Sequence, residues 1–102
     1  MKIDFNQSMS MVKRMIKLAD KNILDQQLMR KQLHSIAEYA KEESLLKAAA
    51  ATQKCLQKIN KRLYSKTIID DLKKLMVLLK KEKLQVIAEH KANLWLCTIT
   101  NQ

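Results

Sequence analysis

The chain of 102 residues contains no glycine and no proline. Tight hairpin turns and left-handed helix ends usually depend on glycine, and proline commonly marks loops. The absence of both residues argues against a β-sheet protein and against enzymes with glycine-rich phosphate- or dinucleotide-binding loops. We therefore predict an all-α protein. Because 47% of the residues are hydrophobic, a chain of this length can form its own core, and we expect one domain over residues 1–102.

Apolar residues recur with helical spacing in four segments. The pattern predicts helices over residues 8–21, 23–41, 45–64 and 67–97. Asn6 or Ser8 is the predicted cap of the first helix, and Ser44 is the predicted cap of the third. We expect an antiparallel four-helix bundle. The alternative is a long helical hairpin that dimerises into a bundle, because the sequence leaves open whether helices break at residues 41–44 and 80–83.

The predicted fourth helix carries apolar residues on two of its sides. Its main stripe is expected to face the core, because its members share one side at 100° per residue. The main stripe consists of Ile68, Ile69, Leu72, Leu75, Met76, Leu79, Val86, Ile87, Leu94 and Cys97. We define the second stripe as Val77, Leu84, Ala88, Trp95 and Ile99. Its first four members lie about 120–160° from Leu72.

The second stripe suggests a function. An apolar surface beyond the one that a small bundle needs is typical of a protein interface, although the first helices could instead wrap around both sides of the fourth. We predict a small, basic, non-enzymatic adaptor, chaperone or regulator that acts through helix-to-helix contacts, with Trp95 as the hot spot. Its partner is another protein or a second copy of the chain, and we expect a homo-oligomer such as a dimer. The sequence indicates no small-molecule substrate.

Nucleic-acid binding is the alternative function. The chain has a net charge of +10, and residues 52–102 contain 11 lysines and arginines but only 4 acidic residues. Lys54, Lys58, Lys61 and Arg62 share one side of the predicted third helix and would contact phosphates. The other interpretation is a solvated helix face. Only three of the 20 cations are arginine, and few aromatic residues are available to stack on bases.

The sequence gives little support for a metal site or a catalytic centre. His34 and Glu38 are four residues apart, and His90 lies on the predicted fourth helix, but neither zinc nor di-iron spacing is present. We expect His90 to be packed and hydrogen-bonded, His34 to be half-exposed, and Cys55 to act as a small buried apolar side chain. We predict no catalytic residues, no metal, no cofactor and no enzymatic activity.

The cell compartment is inferred from the cysteines and from hydropathy. Cys55 and Cys97 lack a short-spacing motif, and the first residues do not resemble a secretory signal. No uncharged segment approaches the roughly 20 apolar residues that a transmembrane helix needs. We therefore expect reduced cysteines and a cytoplasmic protein.

Overall fold

A computed structural model describes the backbone of residues 2–21, 25–60 and 66–100. It also describes their side chains, except those of residues 60, 66 and 92–100. Within these ranges the chain forms four α-helices and no strand. No helix in the described part is long and apolar enough to cross a membrane. The four helices are α1 (Phe5–Asp20), α2 (Gln26–Glu42), α3 (Leu46–Asn60) and α4 (Lys66–Thr100).

The helices pack as an antiparallel four-helix bundle, which confirms the predicted fold. α2 packs against α3, α3 against α4, and α4 against α1, while α1 and α2 contact each other more sparsely. Antiparallel neighbours are fixed by long-range hydrogen bonds near the helix ends. The side-chain amide of Gln26, at the start of α2, donates to the Ile59 carbonyl at the end of α3 over 3.2 Å. The alternative of one unbroken helix over residues 23–64 is excluded, because the chain reverses after Glu42.

α1 begins earlier than predicted, and its cap is Asp4 rather than Asn6 or Ser8. The Gln7 amide donates to Asp4 Oδ1 over 2.7 Å, and the Asp4 amide donates to Gln7 Oε1 over 2.9 Å. This reciprocal pair is a capping box, which satisfies two amides near the helix start. Asn6 and Ser8 therefore lie inside the helix, where the Ser8 hydroxyl donates to the Phe5 carbonyl over 2.7 Å.

The helices break at residues 41–44, which decides one of the two points that the sequence left open, but the predicted role of Ser44 is wrong. Ser44 has a φ of 60°, in the left-handed region. Its amide donates to the Lys41 carbonyl over 3.2 Å, and the Leu45 amide donates to the Ala40 carbonyl over 2.8 Å. These two bonds form a Schellman motif that ends α2. Ser44 thus takes the place usually held by glycine, and it does not cap α3, because α3 begins at Leu46 directly after Leu45.

α4 is continuous from Lys66 to Thr100, so residues 80–83 do not break the helix. Lys83 lies on the buried side without disrupting it, because its Nζ reaches Glu43 Oε2 at 3.6 Å. The 35 residues of α4 contrast with 15 to 17 in each of the other helices. At 1.5 Å per residue, α4 is about 52 Å long and the others about 22–26 Å. The molecule is accordingly elongated, with extents of 59 × 24 × 20 Å.

The core occupies the part of the bundle where all four helices run side by side. The main stripe of α4 contributes Ile68, Leu72, Leu75 and Leu79, which are buried as predicted. Between residues 84 and 91, only Val86 is partly covered. We call residues 84–100 of α4 the projecting segment, because the helix continues there past Leu79, the last fully buried residue among the described side chains of α4. The rest of the core comes from the first three helices and from Leu45 between α2 and α3, and it includes Val12, Met15, Met29, Leu33, Ile36, Tyr39, Ala40, Leu45, Ala48, Cys55, Leu56 and Ile59.

Candidate protein-binding surface

The described members of the second stripe, Val77, Leu84 and Ala88, lie on the side of α4 that faces away from the other helices. Val77 is 61% exposed, Leu84 is 59% exposed, and Ala88 is also exposed. At 100° per residue, Val77 and Leu84 lie roughly 160–180° from the buried Ile68 and Leu75. The chain therefore does not wrap around both sides of α4 at these positions. The backbone of Trp95 and Ile99 belongs to α4, but their side chains lie outside the described residues.

Lysines flank the second stripe on both sides. Each of them is exposed, and each lies within about 60° of Val77 around the helix. Among the described residues, the ion pairs of the structure join Lys58 to Asp71 and Lys83 to Glu43, so they involve none of these flanking lysines. We call them the flanking lysines: Lys73, Lys74, Lys80, Lys81 and Lys91.

The flanking lysines were missed by sequence reasoning, which weighed only the lysines of the third helix. The missed signal is their spacing, because Lys73 and Lys80, and likewise Lys74 and Lys81, are seven residues apart. Val77 and Leu84 have the same separation, so the arrangement of apolar and cationic groups repeats along the helix. Lys73 and Lys74, together with Val77 and Leu78, line a shallow open depression on this side of α4.

Two further exposed apolar residues lie within or near the projecting segment. Ile87 is 40% exposed, although the sequence placed it on the main stripe facing the core. That prediction fails because the other helices do not cover the main stripe this far along α4. Leu46, which the sequence did not single out, is 72% exposed at the first position of α3. It lies at the same end of the bundle, two residues before Ala48, which contacts α4.

Two polar contacts fix the point where α4 leaves the body of the bundle. The Ala48 amide of α3 donates to Glu82 Oε1 of α4 over 2.7 Å. The next residue, Lys83, pairs with Glu43 just after α2. The Glu82 carboxylate supplies an acceptor that α3 cannot provide for itself, because the residue before α3 is the apolar Leu45. The direction of the projecting segment is thus set by contacts with both ends of the turn between α2 and α3.

The alternative nucleic-acid surface is only partly within the described residues. Lys54 is exposed. Lys58 is partly buried and donates to Asp71 of α4, so an adjacent carboxylate offsets its charge. Lys61 and Arg62 lie outside the described residues. The structure therefore does not bring the four predicted side chains together on one described surface, and phosphate binding by them stays a prediction.

The candidate metal and nucleophilic residues occupy separate places. His34 and His90 are both exposed, so the expectation that His90 is packed is wrong; it falls on the uncovered part of α4. In residues 2–21, 25–60 and 66–91, no group of three or more His, Cys, Asp or Glu side chains is placed to hold a metal ion. Cys55 is a buried free thiol, as the sequence indicated.

The pKa of Cys55 is raised from 9.0 to about 11. Burial is the main cause and the nearby Asp71 carboxylate adds to it, while Lys58 acts in the opposite direction. The thiol is therefore protonated at neutral pH, and a protonated thiol is a poor nucleophile. Its place on the core side of α3 fits the role of a small apolar side chain.

The pKa of Tyr39 is also raised, from 10.0 to about 12, by burial first and then by Glu43 and Asp4. Tyr39 is buried, and its hydroxyl has no hydrogen-bond partner within the part of the chain that the structure describes. At 100° per residue, Tyr39 lies about 120° around α2 from Leu33, which is also buried. Its burial shows that α2 is covered on more than one side.

The second stripe and the flanking lysines are thus the most distinctive surface of the described chain, and they lie apart from the buried thiol and from the histidine of α2. Similarity to a protein of known function would indicate which partner such a surface binds. The chain matches no protein-family model, no curated protein and no solved structure.

Proposed function

We propose that the protein is a non-enzymatic adaptor, chaperone or regulator that binds a protein partner through the second stripe of α4. One observation carries this proposal: Val77 and Leu84 are each about 60% exposed on the side of α4 opposite a fully buried core face. Single exposed apolar residues are common, but here they repeat at helical spacing along one face. Such a face is suited to packing against another helix.

The energy available from covering these residues is useful for binding. Burying a Val or Leu side chain completely contributes about 1.5–3 kcal/mol. Because Val77 and Leu84 are more than half exposed, a partner that covers both would gain on the order of 2–4 kcal/mol. A micromolar complex needs about 8 kcal/mol, so further contacts are required. Ala88, Ile87 and the remaining members of the second stripe are the candidates to provide them.

The shape of the surface favours a helical partner. Val77, Leu84 and Ala88 are separated by seven and four residues, which is the spacing of anchors in helix-to-helix recognition. The backbone hydrogen bonds of α4 are satisfied within the helix, so it offers no strand edge for a peptide to extend. A partner helix can lie along α4 and reach the projecting segment without displacing any core residue.

The proposal can be tested by site-specific photocrosslinking followed by measured binding. A photoreactive amino acid at Leu84 should crosslink a partner in cells that make the protein, whereas the same group at Lys54 on α3 should not. The partner, once purified, should bind the unmodified chain, and Leu84→Glu should weaken that binding at least about tenfold. Lys54→Glu is the matched control, because it places the same charge on another exposed surface. Equal binding by the Leu84 variant and the unmodified chain would refute the proposal.

A further inference from the structure

We infer that the second stripe binds an acidic amphipathic helix of a different protein, with Asp or Glu residues on both sides of its apolar face. This inference rests on the proposed function and specifies the partner. Its basis is charge complementarity. The flanking lysines are all exposed, and they lie on both sides of Val77 and Leu84.

The carboxylates of α4 do not balance these lysines. Glu82 faces α3, where it accepts the Ala48 amide, and Asp71 faces α3, where it pairs with Lys58. Glu89 is exposed but lies about 120° around the helix from Val77. Asp70 is the one described carboxylate of α4 close to the direction of Val77; it lies three and four residues before Lys73 and Lys74 and offsets part of their charge, whereas Lys80, Lys81 and Lys91 have no described acidic residue of α4 three or four positions away. The surface from Lys73 to Lys91 therefore carries unbalanced positive charge beside an apolar stripe.

This charge pattern disfavours a second copy of the chain as the occupant. If two α4 helices met through their second stripes, the flanking lysines of one copy would approach those of the other. Like charges at such distances are destabilising, whereas opposite charges beside an apolar seam favour pairing and select the partner. A partner helix with acidic residues on both sides of its apolar face would instead make attractive contacts with these lysines.

The width of the apolar stripe favours a protein over a lipid surface. Helices that lie on membranes combine a lysine-rich face with a broad apolar face that enters the lipid. Here the described members of the stripe, Val77, Leu84 and Ala88, span only about 40° around the helix with lysines close on either side, and the exposed Ile87 adds a single apolar residue about 60° from Leu84. A narrow row of this kind is typical of the seam between two packed helices.

The experiment uses the full chain and three synthetic helical peptides with the same apolar seam but with Glu, Gln or Lys at all flanking positions. Binding is measured by calorimetry at low and moderate salt. The Glu peptide should bind at least about tenfold more tightly than the Gln peptide, and the Lys peptide should not bind. The difference should shrink as salt is raised, because the charged groups are exposed.

Charge reversal in the chain provides the matched test. The variant Lys73→Glu, Lys74→Glu, Lys80→Glu, Lys81→Glu should prefer the Lys peptide over the Glu peptide. Equal binding of the three peptides, an unchanged preference in this variant, dimerisation of the chain that Leu84→Glu abolishes, or binding to phosphatidylserine vesicles in place of the Glu peptide would each overturn the inference. The proposed function fails separately, when Leu84→Glu leaves binding of the crosslinked partner unchanged.

Discussion

Glu82 of α4 caps α3, because its Oε1 accepts a hydrogen bond of 2.7 Å from the Ala48 amide. Helix caps normally come from the residue just before the helix, but that residue is Leu45, which is apolar and fully buried. The cap therefore connects two residues that are 34 positions apart in sequence. It also marks the point on α4 beyond which the helix projects from the body of the bundle.

Replacing Glu82 should destabilise the fold. Glu82→Ala leaves the Ala48 amide without its acceptor and should lower the free energy of unfolding by about 1–2 kcal/mol. Glu82→Gln keeps an acceptor oxygen and should lose less. Urea denaturation followed by circular dichroism measures both, with Glu89→Ala as the control at an exposed α4 position. Equal losses in Glu82→Ala and Glu89→Ala would show that the interhelical cap contributes nothing.

Replacing Ser44 with glycine should stabilise the protein. Its φ of 60° places an L-residue in the left-handed region, at a cost of roughly 1–2 kcal/mol, whereas glycine adopts this conformation without a Cβ clash. Part of the gain is lost because glycine is more flexible in the unfolded chain, so Ser44→Gly should stabilise the protein by about 0.5–1 kcal/mol. Thermal denaturation measures the change. The same substitution at Ser10, inside α1, should destabilise, and a loss of stability at both positions would contradict the assignment of Ser44.

The sequence predicted the helices and the core well where apolar spacing decides the outcome. Leu72, Leu75 and Leu79 were assigned to the core and are fully buried. Ile87 was assigned by the same spacing and is exposed, because helical periodicity identifies a face of α4 but not how far the neighbouring helices extend along it.

Helix ends were predicted less well, since their caps depend on contacts that sequence spacing does not show. Glu82 reaches Ala48 across 34 positions of sequence, and Ser44 adopts a conformation that serine seldom does. The sequence predicted one of the two parts of the candidate binding surface. The second stripe was identified from its spacing. The flanking lysines belong to the same surface only because α1 and α3 leave that side of α4 uncovered.

The raised pKa of Cys55 predicts a loss of stability at high pH. The thiol titrates at 9.0 in the unfolded chain and at about 11 in the folded protein, so the unfolded state loses its proton first as pH rises. The contribution of the buried neutral thiol to the free energy of unfolding is fully present below pH 9. It should fall by about 2 kcal/mol by pH 11. Urea denaturation between these pH values, in a Cys97→Ser background, measures the loss. Cys55→Ala in the same background should remove this part of the pH dependence; an unchanged profile would contradict the burial argument.

Tyr39→Phe should leave the protein as stable as before or stabilise it by up to about 1 kcal/mol. The substitution keeps the ring and removes a buried hydroxyl that has no partner among the described residues, so no hydrogen bond there is lost. Tyr39→Leu, which removes the ring and changes the shape of the side chain, should destabilise. Urea denaturation near neutral pH compares the variants. A loss above about 1 kcal/mol in Tyr39→Phe would mean that the hydroxyl makes a stabilising contact.

Binding of random-sequence DNA and RNA should separate the protein-binding proposal from the nucleic-acid alternative. A net charge of +10 predicts some nucleic-acid binding at about 50 mM salt. If the protein has no preformed phosphate-binding site, this binding should vanish near 200 mM salt. Changing Lys54, Lys58, Lys61 and Arg62 to Gln should weaken it no more than changing Lys73, Lys74, Lys80 and Lys81 to Gln, because dispersed charge acts through its sum. Gln is preferred to Glu here, since a carboxylate at Lys58 would face Asp71 and disturb the bundle. Binding that persists near 200 mM and is lost only in the first variant would place nucleic acid ahead of a protein partner.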